Sequence, residues 1–160
     1  MPRNDAQLWH LLHALDDPDH VEIPDGYDHR RTRDRFERLA QRLDTDFGCQ
    51  CNVDRDVQDA SLHGRIDIPA SATATSRPLV VSVSNFGSLA VLSVDNPGVW
   101  TDTEALLYAD DAHRVQAALS DLGYTLIPEE LLWEPCDGVC DPGIFAPSEA
   151  TWWIRYFDYV

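Results

Sequence analysis

A chain of 160 residues with 44% hydrophobic and 9% aromatic content is long enough for one domain with its own core, and too apolar to be disordered throughout. Its 28 acidic residues outweigh 12 basic ones, for a net charge of −16, which disfavours direct contact with nucleic-acid phosphates and favours a cationic protein partner. No apolar run reaches the ~18 residues that a membrane span needs, and no signal-type apolar stretch follows Met1–Asp5, so the expected location is the cytoplasm.

Every basic residue is arginine, and Asp outnumbers Glu 21 to 7. A GC-rich genome or a halophilic source accounts for such a composition but not for how the charge is placed. Residues 1–80 carry 15 acids and 10 arginines, whereas residues 81–160 carry 13 acids and only Arg114 and Arg155.

Taken in order, the chain opens with a helix predicted over Asp5–Leu15, capped by Asn4, with Gln7 completing a capping box. Leu8, Leu11, Leu12 and Leu15 form its apolar stripe. Pro18 stops it within an acidic connection, residues 16–28. A second helix is predicted over His29–Asp44, burying Phe36, Leu39, Ala40 and Leu43. Arg30, Arg31, Arg33, Arg35, Arg38 and Arg42 cover its remaining surface. Given the net charge, this cluster reads as a solvated face paired with acids such as Asp34 and Glu37, in preference to an anion patch.

Alternation over Phe47–Val57 predicts a half-buried strand with Phe47, Cys49, Cys51 and Val53 on one face. A second strand, Ser61–Ile68, places Leu62, Gly64, Ile66 and Ile68 together. Pro69–Pro78 reads as a flexible connection. The strongest local signal follows: two β-branched runs, Leu79–Ser84 and Leu89–Val94, flank Asn85-Phe86-Gly87-Ser88, a hairpin at the centre of the sheet. Asp95-Asn96-Pro97-Gly98 makes a turn. Trp100–Tyr108 is ambiguous, with a short helix over the sheet as one reading.

A third helix is predicted over Ala112–Leu122, capped by Asp110 or Asp111. It buries Val115, Ala118, Leu119 and Leu122 and ends at a left-handed Gly123. Tyr124–Ile127 reads as a short strand, Glu129–Trp133 as a brief turn opened by Pro128, and Glu134–Pro147 as a long ordered loop. The closing aromatic run, Thr151–Phe157, reads as a strand covered on both faces. The whole is an α+β fold in a single domain, with a helical part over residues 4–45, a sheet over 47–94, and a helix and C-terminal strand over 110–160. A four-strand antiparallel meander plus the C-terminal strand is flanked by about three helices.

Few residues suggest catalysis. Cys49, Cys51, Cys136 and Cys140 offer a C-x-C and a C-x3-C pair, the raw material of a four-thiolate zinc site, but the spacing departs from the usual knuckle. Packed or free thiols are the preferred reading, and a Cys136–Cys140 disulfide is disfavoured in a reducing cytoplasm. His10 and His13 stand three apart on the first helix and read as surface histidines. Asp54-Arg55-Asp56 has the form of a phosphate–metal motif but reads as a turn. A Cys51–His63 nucleophile pair needs the two to face each other across neighbouring strands. There is no nucleophile elbow, P-loop, dinucleotide fingerprint or zincin helix. The expectation is therefore no catalytic residue, no cofactor and no resident metal.

What remains is surface chemistry. Asp102, Glu104, Asp110, Asp111, Glu129, Glu130, Glu134, Asp137 and Asp141 lie in the arginine-poor half, close in sequence to Trp100 and Trp133. Carboxylates around aromatic anchors suit capture of a basic protein, the acids steering it and the aromatics supplying buried area.

Three segments carry a family likeness: Gly123-Tyr-Thr-Leu-Ile-Pro-Glu-Glu-Leu-Leu, the Glu-Pro-Cys-Asp-Gly turn at 134–138, and the closing Thr-Trp-Trp-Ile-Arg-Tyr-Phe-Asp-Tyr. Over roughly its last third, the chain resembles small bacterial immunity proteins of polymorphic or contact-dependent toxin systems. The resemblance implies a non-enzymatic antidote that occludes a toxin's active site. The acidic charge adds the expectation that the toxin is basic, such as a nuclease, and that the chain makes no direct nucleic-acid contact; the lack of a long apolar run adds that it makes no membrane contact. The alternatives are a small metal-binding or Cys/His-dependent enzyme and a stand-alone regulatory interaction module.

Overall fold

The computed structural model of the chain describes residues 5–16, 26–54, 62–95, 97–98, 106–134 and 151–157. Four antiparallel strands follow one another in sequence order: β1 (Asn52–Asp54), β2 (Leu62–Ile68), β3 (Leu79–Ser84) and β4 (Leu89–Val94). A fifth, β5 (Thr125–Leu126), joins β4 in parallel. Helices α1 (Asp5–Ala14), α2 (His29–Phe47), α3 (Ala109–Asp121), α4 (Glu129–Leu132) and α5 (Trp152–Phe157) complete an α+β fold.

The hairpin is where the sequence placed it, with Val81 opposite Leu92. Its strands read as unbroken apolar runs because helices cover both sides of the sheet. Leu79, Val81, Val83, Ala90, Leu92 and Val94 share one core with α2 and α3. Leu89 and Val91 share a second core with Leu12 of α1, Leu131 and Leu132 of α4, and Trp152, Tyr156 and Phe157 of α5. The molecule is thus three layers, with α2 and α3 on one face and α1, α4 and α5 on the other.

Helix α2 is built from its sequence at both ends. The Asp28 carboxylate accepts from Arg31 N at 3.1 Å, satisfying a first-turn donor. Phe36, Leu39, Ala40, Leu43 and Phe47 then recur on one face. At the C-terminal end Gly48 adopts φ 61°, and Cys49 N donates back to Asp44 O at 3.0 Å. The helix therefore runs three residues past the expected Asp44. Phe47 is its last buried residue and not the start of a strand, and β1 keeps only Asn52–Asp54. The apparent alternation from Phe47 onward is a helix end followed by a turn, which the Asp44 carboxylate pins by accepting from Cys51 N at 2.7 Å.

Other expectations are corrected in the same way. In β2 the pairing shifts between Leu62, opposite Ser84, and Gly64, opposite Val83, which makes His63 the extra residue of a bulge. Leu62 consequently belongs to the second core, while Ile66 and Ile68 face the first. The stretch before the hairpin is hydrogen-bonded rather than loose: a 3-10 turn spans Ala70–Ala72, the buried Thr73 hydroxyl lies 2.7 Å from Arg77 O, and Ala74 N donates to Asp111.

Helix α3 starts at Ala109, so Asp110 and Asp111 lie within its first turn and do not cap it. Its end is as expected, with Gly123 at φ 82° and Tyr124 N donating to Leu119 O at 2.9 Å. Pro128 flanks α4 in extended conformation. The closing aromatic run is helix, not strand: Trp152, Tyr156 and Phe157 are each about 1% exposed or less and pack as one face. The fifth strand of the sheet is Thr125–Leu126 instead. Among the described residues no helix is long and apolar enough to cross a membrane.

Candidate functional site

The feature that survives from the acidic half is an aromatic platform at the junction of α4 and α5. Leu131 and Leu132 anchor the short α4 in the second core, which forces the next residue, Trp133, outward; it is 38% exposed. Trp133 does not hang free. Its ring stacks on Trp153 at 4.8 Å with the planes 10° apart, and Trp153 in turn leans on Phe157 at 5.2 Å. Trp152 N donates to Glu134 O, which ties the start of α5 to the end of α4. Glu130, half-buried, and Glu134, exposed, flank Trp133 on the same segment.

Two other expected contact residues turn out to be internal. Glu129 is 4% exposed, and its Oε1 accepts from Ser93 Oγ at 2.9 Å and Gly98 N at 3.1 Å, bracing the turn after β4. Asp111 is 3% exposed; it accepts from Ala74 N at 2.9 Å and pairs with Arg114 at 3.4 Å. Both are structural carboxylates, buried because each is hydrogen-bonded. Asp110 is exposed, but it sits on α3, across the sheet from Trp133. The structure therefore joins Glu130, Trp133 and Glu134 and separates Asp110, Asp111 and Glu129 from them. Trp100, Asp102, Glu104, Asp137 and Asp141 lie outside the described residues, as do Cys136 and Cys140.

The nucleophile reading finds no support, and the four-thiolate reading falls in part on Cys136 and Cys140, outside the described residues. Cys49 and Cys51 lie with their sulfurs 3.9 Å apart, and no group of three or more His, Cys, Asp or Glu side chains among the described residues could hold an ion. Burial pushes the Cys51 thiol up, and the Asp44 carboxylate and Cys49 add to it, the reverse of an activated nucleophile. The register also parts Cys51 from His63. Asn52 stands opposite Asp67 and Asp54 opposite Arg65, so Cys51 lies at the Ile68 end of the pairing and His63 beyond the other. His10 and His13 are on the surface as expected, with His13 edge-on to Trp152 at 4.9 Å.

Sequence reasoning missed a polar knot on the bulge. His63 is 5% exposed, with Nδ1 3.1 Å from Asn85 Oδ1. The Tyr27 hydroxyl donates to the same oxygen at 3.0 Å, and the His29 ring lies 6.0 Å from that of His63. Because Asn85 Oδ1 only accepts, His63 carries its proton on Nδ1, and its Nε2 is buried with no partner among the described residues. Burial lowers the His63 pKa; the hydrogen bond it donates to Asn85 opposes this, while His29, Arg33 and Arg35 reinforce it. The only hint in the sequence is Gly64 beside it, a glycine within a strand.

Comparison with known protein families, curated proteins and solved structures found no match to this chain.

Proposed function

We propose that this chain is a non-enzymatic binding protein that captures a basic protein partner, and that the partner is a toxin whose active site it occludes in the manner of an immunity protein. The observation that carries the reading is Trp133, exposed, held flat against Trp153 and flanked by Glu130 and Glu134. A pre-stacked indole presents its area to a partner without losing rotamer freedom on binding, and aromatic anchors dominate interface energetics. The carboxylates beside it and the net charge of −16 steer a cationic surface toward it. Against a nuclease, glutamates would stand where substrate phosphates otherwise sit.

The test is co-expression with a cationic protein encoded beside this chain, read by pull-down and by cell survival. The expected result is a complex that weakens with salt, protects the cell, and loses at least about tenfold in affinity on Trp133→Ala. Absence of any cationic neighbour that binds, together with survival unchanged when the chain is deleted, would overturn the proposal. The metal-dependent alternative would return if the purified protein carried one zinc per chain.

A further inference from the structure

The arginines of α2 do not behave as a neutralised face. Arg33 pairs with Glu37 at 3.4 Å, and Arg42 with Asp46 at 2.7 Å and Asp121 at 3.0 Å. Arg30, Arg31 and Arg38, in contrast, have side chains with no ion-pair or hydrogen-bond partner among the described residues, in a protein holding 28 carboxylates. They line a groove of about 690 Å³ between α2 and the end of α3, closed on the far side by Asp121, Leu122 and Gly123. The half-buried Arg35 lines it too. Its Nη2 donates to Ser88 Oγ at 2.6 Å and its guanidinium lies 4.6 Å from the Tyr124 ring centroid, while its Nε is buried with no acceptor among the described residues.

The acids along the same groove offset this charge only in part: Asp28 caps α2, Asp121 is paired with Arg42 and Asp34 is exposed, so four arginines face three carboxylates. Arg31, Arg35 and Arg38 recur at four- and three-residue spacing, so their side chains share one flank of the helix.

From this geometry we infer that the groove between α2 and α3 binds a compact phosphate-bearing small molecule, recognised through its phosphate oxygens by Arg31, Arg35 and Arg38. Guanidinium forks match phosphate oxygens bidentately, and Arg31 and Arg38 line the groove with theirs unpaired among the described residues. Size follows from electrostatics. A long polyanion feels the whole negative molecule, whereas a compact one lies within a Debye length, about 8 Å, of the arginines and feels mainly them. Among the described residues Leu122 is the one apolar side chain along the groove and no aromatic ring lines it, so the phosphate group, not a stacked base, is what is read.

The test is calorimetric titration of the full chain with inorganic pyrophosphate, repeated with a single-stranded oligonucleotide. The expected result is saturable one-to-one binding of pyrophosphate that weakens at least tenfold in Arg31→Gln/Arg38→Gln and is unchanged in Arg65→Gln, whose side chain is paired with Asp67. Both arginines are on an exposed flank, and circular dichroism checks that the double variant folds. Absence of saturable binding, equal binding by the double variant, or tighter binding of the oligonucleotide would overturn it. The Trp133 surface plays no part in this titration, so the two proposals fail separately.

Discussion

The Arg155 guanidinium donates through Nε to the Asp16 carboxylate at 2.7 Å, across 139 positions of sequence, with both side chains under 5% exposed. Arg155 also lies over the rings of Phe86 and Tyr156, at 4.7 and 5.0 Å, and the Tyr156 hydroxyl donates to Leu12 O. This cluster fastens α1 and α5 to one another and to the hairpin turn. Removing one partner of a buried ion pair costs about 3–5 kcal/mol, whereas replacing both by apolar groups of similar volume is often close to neutral. Arg155→Met is therefore expected to lower the urea midpoint sharply, and Arg155→Met with Asp16→Leu to recover most of the loss.

His63 makes stability depend on pH in a predictable sense. Its pKa in the fold lies below the ordinary value of about 6.5, so the unfolded chain binds the proton more readily. Stability is full above that value and is lost as pH falls through about 6.5 toward the lowered pKa. His63→Gln should flatten this slope between pH 7.5 and 5.5 in denaturant titrations, while His10→Gln, on an exposed site, should leave it intact.

The two classes of carboxylate should separate cleanly in experiment. Glu129→Ala leaves Ser93 Oγ and Gly98 N without their acceptor and is expected to cost about 2–3 kcal/mol of stability. Glu134→Gln, on an exposed residue, should change stability by less than about 0.5 kcal/mol. It should instead slow association with a basic partner at low salt, measured by stopped-flow.

Gly64 is required by packing. A Cβ there would come within 2.6 Å of the Phe36 ring and 2.9 Å of Asp54 O. Gly64→Ala is expected to cost about 1–3 kcal/mol, because neither the ring at the centre of the first core nor the β1 backbone has room to retreat. Thermal unfolding would measure it.

What was legible in the sequence was what neighbouring residues decide. The β3–β4 hairpin, the apolar stripe of α2 and the Gly123 helix end each depend on contacts a few positions apart. The Trp152–Phe157 helix was not legible, because aromatic residues favour strands until a tertiary surface rewards another spacing, and here the second core takes Trp152 and Tyr156 four apart. Trp133 could be picked out as an aromatic among acids. The burial of Asp111 and Glu129 could not, since Ala74, Ser93 and Gly98 lie 31 to 37 positions away. The His63 bulge was hidden for the same reason: a register shift is a property of two strands, not one.

Among the described residues, the sheet ends in outer strands of three residues at β1 and two at β5. An incoming peptide would find only two or three backbone positions on either margin to zip onto, too few to hold it by main-chain pairing. Fibril-like stacking and strand exchange between copies are blunted by the same economy. A partner that docks at these described margins must be gripped by side chains, and its specificity is therefore open to change one residue at a time without disturbing the sheet beneath.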